Sequence, residues 1–135
     1  LGDIGTYGRS IHASEQGHWE FDKDLKPVSG FPIRVGWFNA VRRGHAALHV
    51  GLEIGVPSLV LRTSRSYSSK TVDQKSMLSD TVLDVRQIAR WAGCLGNAVT
   101  SVPVKDAMHD IFLSKADVRE NAFDLMSTWI DQNLA

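Results

Sequence analysis

Residues 57–104 read PSLVLRTSRSYSSKTVDQKSMLSDTVLDVRQIARWAGCLGNAVTSVPV. The run 57–62 is short and apolar and opens on Pro57, the pattern of a buried strand. Residues 63–79 are rich in Ser, Thr, Lys and Arg and predict a surface loop. Within 81–95, Val85, Ile88, Ala89, Ala92 and Leu95 share one helical face, and Gly96 follows as a stop. Residues 98–104 alternate and are β-branched, which predicts a second strand with Pro103 near its end.

Downstream, 105–115 reads as a loop containing His109. Over 116–133, Val118, Ala122, Leu125, Trp129 and Ile130 recur at helical spacing, with Asp117 near the start. The order is therefore strand, loop, helix, strand, loop, helix. That is a βαβα unit, so the fold class is α/β with a short parallel sheet and packing helices. Two strands make a marginal sheet alone, so further strands are expected outside these residues. Upstream, VGWFNAVRRGHAALHV (35–50) predicts a helix weakened by Gly44 and closed by Gly51. Residues 1–34 carry Tyr7, Trp19, Phe21 and Phe31 without a period. They read as extended chain and loops whose aromatics need a surface to dock on. Two parts result, 1–52 and 53–135.

The 135 residues amount to one domain, and 43% hydrophobic with 22% charged is globular rather than disordered composition. No stretch approaches the roughly 20 apolar residues of a membrane span. The opening residues lack the basic-then-apolar order of a secretory signal. Fifteen basic and fifteen acidic residues cancel, which argues against nucleic acid as a partner. Cys94 is alone, so an internal disulfide and a Cys-rich zinc site are excluded, and a reducing, cytoplasmic setting is expected.

In parallel α/β sheets, chemistry gathers beyond the carboxyl ends of the strands. Asp80 lies beyond the first strand and His109 beyond the second. Adjacent loops could bring them together as an acid that orients a general base. Each also has a plainer reading, Asp80 as a helix cap and His109 as a solvated loop residue.

The stretches Pro57-Ser-Leu-Val-Leu-Arg62, Asp80-Thr-Val-Leu-Asp84 and Val102-Pro-Val-Lys-Asp-Ala-Met-His109-Asp-Ile-Phe-Leu-Ser114 resemble the C-terminal half of an α/β-hydrolase. The likeness is to its serine aminopeptidase, lysophospholipase and monoglyceride-lipase branch. Tyr7-Gly-Arg-Ser-Ile-His12, Gly17-His-Trp-Glu-Phe-Asp22 and Gly30-Phe-Pro-Ile-Arg34 resemble the exit from that family's cap region. The resemblance implies a serine hydrolase of carboxylic esters that needs no cofactor and no metal. It makes His109 the general base and Asp80 the acid, in the family's order Ser, acid, His. Because 63–79 separate Asp80 from its strand, Asp84 and Asp73 remain rivals. No G-x-S-x-G occurs in the chain, so the nucleophile is expected elsewhere in a longer protein and this chain alone is expected to be inactive. A second expectation is a non-catalytic domain that pairs with itself through an exposed sheet edge.

Other signals point to structure. His45 and His49 stand four apart, but HAALH lacks the Glu of H-E-x-x-H and a third ligand. The basic residues between Arg34 and Lys75 form a solvated face without a nucleic-acid motif. The Ser64, Ser66, Ser68 and Ser69 hydroxyls lack the glycines of a nucleophile elbow, and Gly2, Gly5 and Gly8 follow no strand. The four tryptophans are expected to be core or interface anchors.

Overall fold

The computed structural model describes residues 6–27 and 30–134. Its elements are α1 (Thr6–Ile11), α2 (Val35–Val50), β1 (Ser58–Thr63), α3 (Val85–Ala92), β2 (Val99–Val104) and α4 (Ala116–Asn133). Single 3-10 turns lie at Ser76–Leu78, Gly93–Leu95 and Ile111–Leu113.

β1 and β2 pair in parallel, with Ser58 opposite Val99 and Thr63 opposite Val104. The connection through α3 is the crossover that a parallel pair requires. The chain is thus mixed α/β with a short two-stranded parallel sheet. The core gathers where β2 ends: Val104, Ala107, Ile111, Val118 and Ala122 are buried together, with Leu61, Phe112 and Leu125 packed against them. α4 closes this cluster from the stripe that contains Val118 and Ala122. No helix among the described residues is long and apolar enough to cross a membrane.

Three expectations change. The helix expected over 81–95 starts only at Val85. The Asp80 carboxylate accepts the amides of Val82 and Leu83, at 2.8 and 2.7 Å, and holds 81–84 in a turn. Asp84 then caps the helix, accepting the Arg86 amide at 3.0 Å. Second, 1–34 is not all loop, since α1 forms at 6–11. Behind it, His12 bridges to Trp19, and the Trp19 indole donates to the Leu113 carbonyl at 2.9 Å. Tyr7 and Trp19 thus dock on the chain's own loop after β2, whereas Phe21 packs edge to face on His12 and Phe31 stays exposed. Third, the 63–79 loop is organised: Ser66 bridges in parallel to Asp80, and the 3-10 turn Ser76–Leu78 packs on α1. Residues 1–5, including Gly2 and Gly5, lie outside the described residues.

α2 occupies the predicted span, but none of its residues is buried. Gly51 ends it at φ 103°, a left-handed backbone that glycine adopts without strain.

Candidate functional site: an Asp80–His109 pair beyond the sheet

The acid reaches the site through backbone pairing. After β1 the chain continues to Ser66, leaves, and returns at Asp80. There Asp80 donates its amide to the Arg65 carbonyl at 2.9 Å and accepts the Tyr67 amide at 2.8 Å. The excursion of residues 67–79 therefore adds nothing to the separation in space, and Asp80 sits just past the end of β1. Its side chain is only 3% exposed.

The base reaches the site through a rigid turn. Thr63 at the end of β1 donates its hydroxyl to the Ala107 carbonyl at 2.8 Å. Ser114 accepts the Met108 amide at 2.9 Å, and Ala107 and Met108 are buried. Asp106 adopts φ 58°, a left-handed backbone tolerated by Asp better than by most side chains, and its carboxylate takes Arg65 Nη2 at 2.9 Å. These contacts fix the segment that presents His109.

His109 Nδ1 lies 3.0 Å from Asp80 Oδ2. The two carboxylate oxygens divide their work: Oδ1 takes the two amides and Oδ2 the imidazole. Burial pushes the Asp80 carboxyl up, but the bond to His109 and the Leu83 and Val82 amides outweigh it, and its pKa falls below the ordinary carboxylate value. The same hydrogen bond raises the His109 pKa above the usual imidazole value against the opposing pull of burial. The carboxylate thus fixes the Nδ1–H tautomer, leaving Nε2 as the basic nitrogen. Nε2 makes no hydrogen bond to the described residues, and the side chain is 27% exposed.

The rival carboxylates stand apart. Asp84 caps α3 and pairs with Arg86, whose hydrogen bond lowers its pKa. Asp73 accepts the Tyr67 hydroxyl at 2.8 Å and the Ser76 amide at 2.8 Å. Geometry therefore selects Asp80 as the residue that meets His109. No protein-family model, curated protein or solved structure matches this chain.

A cleft of about 590 Å³ opens beside Asp80, lined in part by Ser64, Ser66, Tyr67 and Ser68. Ser66 is engaged in structure: its hydroxyl donates to the Leu83 carbonyl and accepts the Val85 amide. A second, apolar groove of about 560 Å³ lies between α2, α3 and β1. His45 and His49 line it as stacked rings, and His49 in turn stacks on Trp91 at 3.8 Å. No group of three or more metal-ligating side chains occurs among the described residues.

Sequence reading passed over three residues beside His109. Tyr7, Lys26 and Asp110 form a hydrogen-bonded cluster there. Asp110 adjoins the base, but nothing in the sequence marks the remote Tyr7 and Lys26 as its partners.

Proposed function

We propose that this chain supplies the acid and the base of a serine-hydrolase triad, with the nucleophile contributed from outside these 135 residues. The reading is carried by the 3.0 Å contact between the buried Asp80 carboxylate and His109 Nδ1. In this reaction a serine hydroxyl oxygen bonds to the acyl carbonyl carbon while His109 Nε2 takes the hydroxyl proton. The tetrahedral intermediate then expels the alcohol, which leaves with the proton that His109 returns. Water repeats the cycle on the acyl-enzyme, and Asp80 stabilises the imidazolium each time it forms. The substrate class, carboxylic esters such as a lysophospholipid or monoacylglycerol, follows from the resemblance of the 57–62, 80–84 and 102–114 segments. The reaction requires no cofactor.

A fluorophosphonate probe and a short-chain p-nitrophenyl ester test the reading. The chain alone is expected neither to label nor to turn over. A longer polypeptide that carries these residues is expected to do both, and His109→Ala within it to lower turnover by about 10⁴-fold or more. Labelling of the isolated chain, or full activity of the variant, overturns the proposal.

One observation favours a second reading, a self-associating domain without catalysis: α2 buries none of its residues while Val35, Trp37 and Phe38 are exposed. Retention of ester turnover by no polypeptide carrying the chain, together with an ordered dimer in light scattering, would select it.

A further inference from the structure

The His109 imidazole has a second neighbour. The Tyr7 ring meets it edge to face, with centroids 5.2 Å apart and planes at 88°. The Tyr7 hydroxyl donates to Asp110 Oδ2. Lys26 Nζ donates to the same oxygen at 2.7 Å and to the Tyr7 hydroxyl at 3.1 Å. Three side chains from three segments thus lock one another beside the base. Resting on the triad reading, we propose that Tyr7 is a positioning residue for His109: Asp110 and Lys26 anchor its phenol, and its ring holds the imidazole with Nδ1 aimed at Asp80.

The need for such a device is physical. The terminal torsion of a histidine is broad, and a single hydrogen bond leaves the ring free to rock about it. A triad base must hold Nε2 in one place, because a displacement of about 1 Å can cost about 10²-fold in rate. Asp80 constrains one edge of the imidazole, and a packed ring supplies a further constraint without competing for a proton. The phenol itself stays a donor. Burial and the bond to Asp110 push the Tyr7 phenol up to about 12, so it stays protonated and donating.

The charged groups acting on His109 are Asp80, Asp110 and Lys26. The two carboxylates favour the imidazolium, and the ammonium opposes it.

Nuclear magnetic resonance on the histidine-labelled chain reads the positioning without a substrate. The Nδ1–H resonance of His109 is expected in the wild type and lost in Tyr7→Leu, whose His109 titration midpoint falls. Tyr7→Phe, which keeps the ring but loses its anchor to Asp110 and Lys26, is expected to retain a broadened resonance. A Tyr7→Leu chain with resonance and midpoint unchanged, while Asp80→Asn loses the resonance, overturns the positioning role and leaves the triad reading standing. A wild type without the resonance overturns both. Unmutated chain gives a further check: nuclear Overhauser contacts between the Tyr7 ring and His109 carbon-bound protons are expected, and their absence overturns the role even if Tyr7→Leu fails to fold.

Discussion

Asp80 carries two tasks on two oxygens, and each has a different consequence when removed. Asp80→Asn retains an acceptor for the Val82 and Leu83 amides but removes the anion facing Nδ1. The His109 titration midpoint is expected to drop from its raised value toward the ordinary 6.5, as read by proton resonance against pH. Stability follows the same ions. His109, raised on folding, contributes fully below about 6.5 and loses that contribution as pH climbs through its folded value. Asp80, lowered on folding, contributes above about 3.9 and loses its share as pH falls through its folded value. The wild type's advantage over Asp80→Asn in urea midpoint is therefore expected to be greatest between about pH 4 and 6.5. At this scale the place of His109 was legible in the sequence, since it follows a β-branched strand at the edge where sites form. The choice among Asp73, Asp80 and Asp84 was not, because linear spacing cannot say which carboxylate returns beside Ser66.

Among the elements, α1 depends on its neighbours more than on itself. A helix of six residues is marginal in water, so its form rests on tertiary contacts. Thr6 donates to the Ser69 carbonyl at 2.6 Å, and the following chain folds back so tightly that a Cβ at Gly17 would lie 1.9 Å from the Ile11 carbonyl carbon. Gly17→Ala is expected to destabilise the chain by about 1–3 kcal/mol, read as a lower melting temperature. The same change would shift α1 and with it Tyr7, so the His109 resonance should broaden as well. Periodicity could not announce α1: it is too short for a hydrophobic stripe, and Gly8 weakens its local preference. By contrast, α2, β2 and α4 showed in the sequence because each carries a pattern long enough to read. The start of α3 was misplaced because a side-chain acceptor, Asp80, captured amides that the apolar spacing assigned to the helix.

Across the whole molecule, burial is concentrated on one side. The core lies between β2, the loop carrying His109, and α4, whereas Trp37 and Phe38 on α2 remain 56% and 52% exposed. Of the four tryptophans, Trp19 and Trp129 are tied by hydrogen bonds to Leu113 and Thr100. Trp91 stacks on His49, and Trp37 projects from the unburied helix. Exposed apolar surface of this kind attracts further apolar surface. The chain is expected to enhance the fluorescence of an anilinonaphthalene dye and to scatter light as more than a monomer, and a Trp37→Ser, Phe38→Ser double variant to reduce both. The βαβα order was legible because each link has its own period. How thin the sheet would be was also legible, from the count of strand-like runs. The naked state of α2 was not, since an amphipathic pattern specifies a face and leaves its partner unnamed.

The return of the chain at Asp80 separates distance along the sequence from distance in space. Counted along the sequence, the acid stands far from β1; followed through the backbone bridge, it stands opposite Ser66, beside the strand's end. A flexible loop lengthens cheaply, at about 0.6 kcal/mol for each doubling, but this one is tied down by the Thr6–Ser69 bond and by the Ser76–Leu78 turn on α1. The carboxylate's place thus depends on the bridge at Ser66 and not on the number of residues that separate the two.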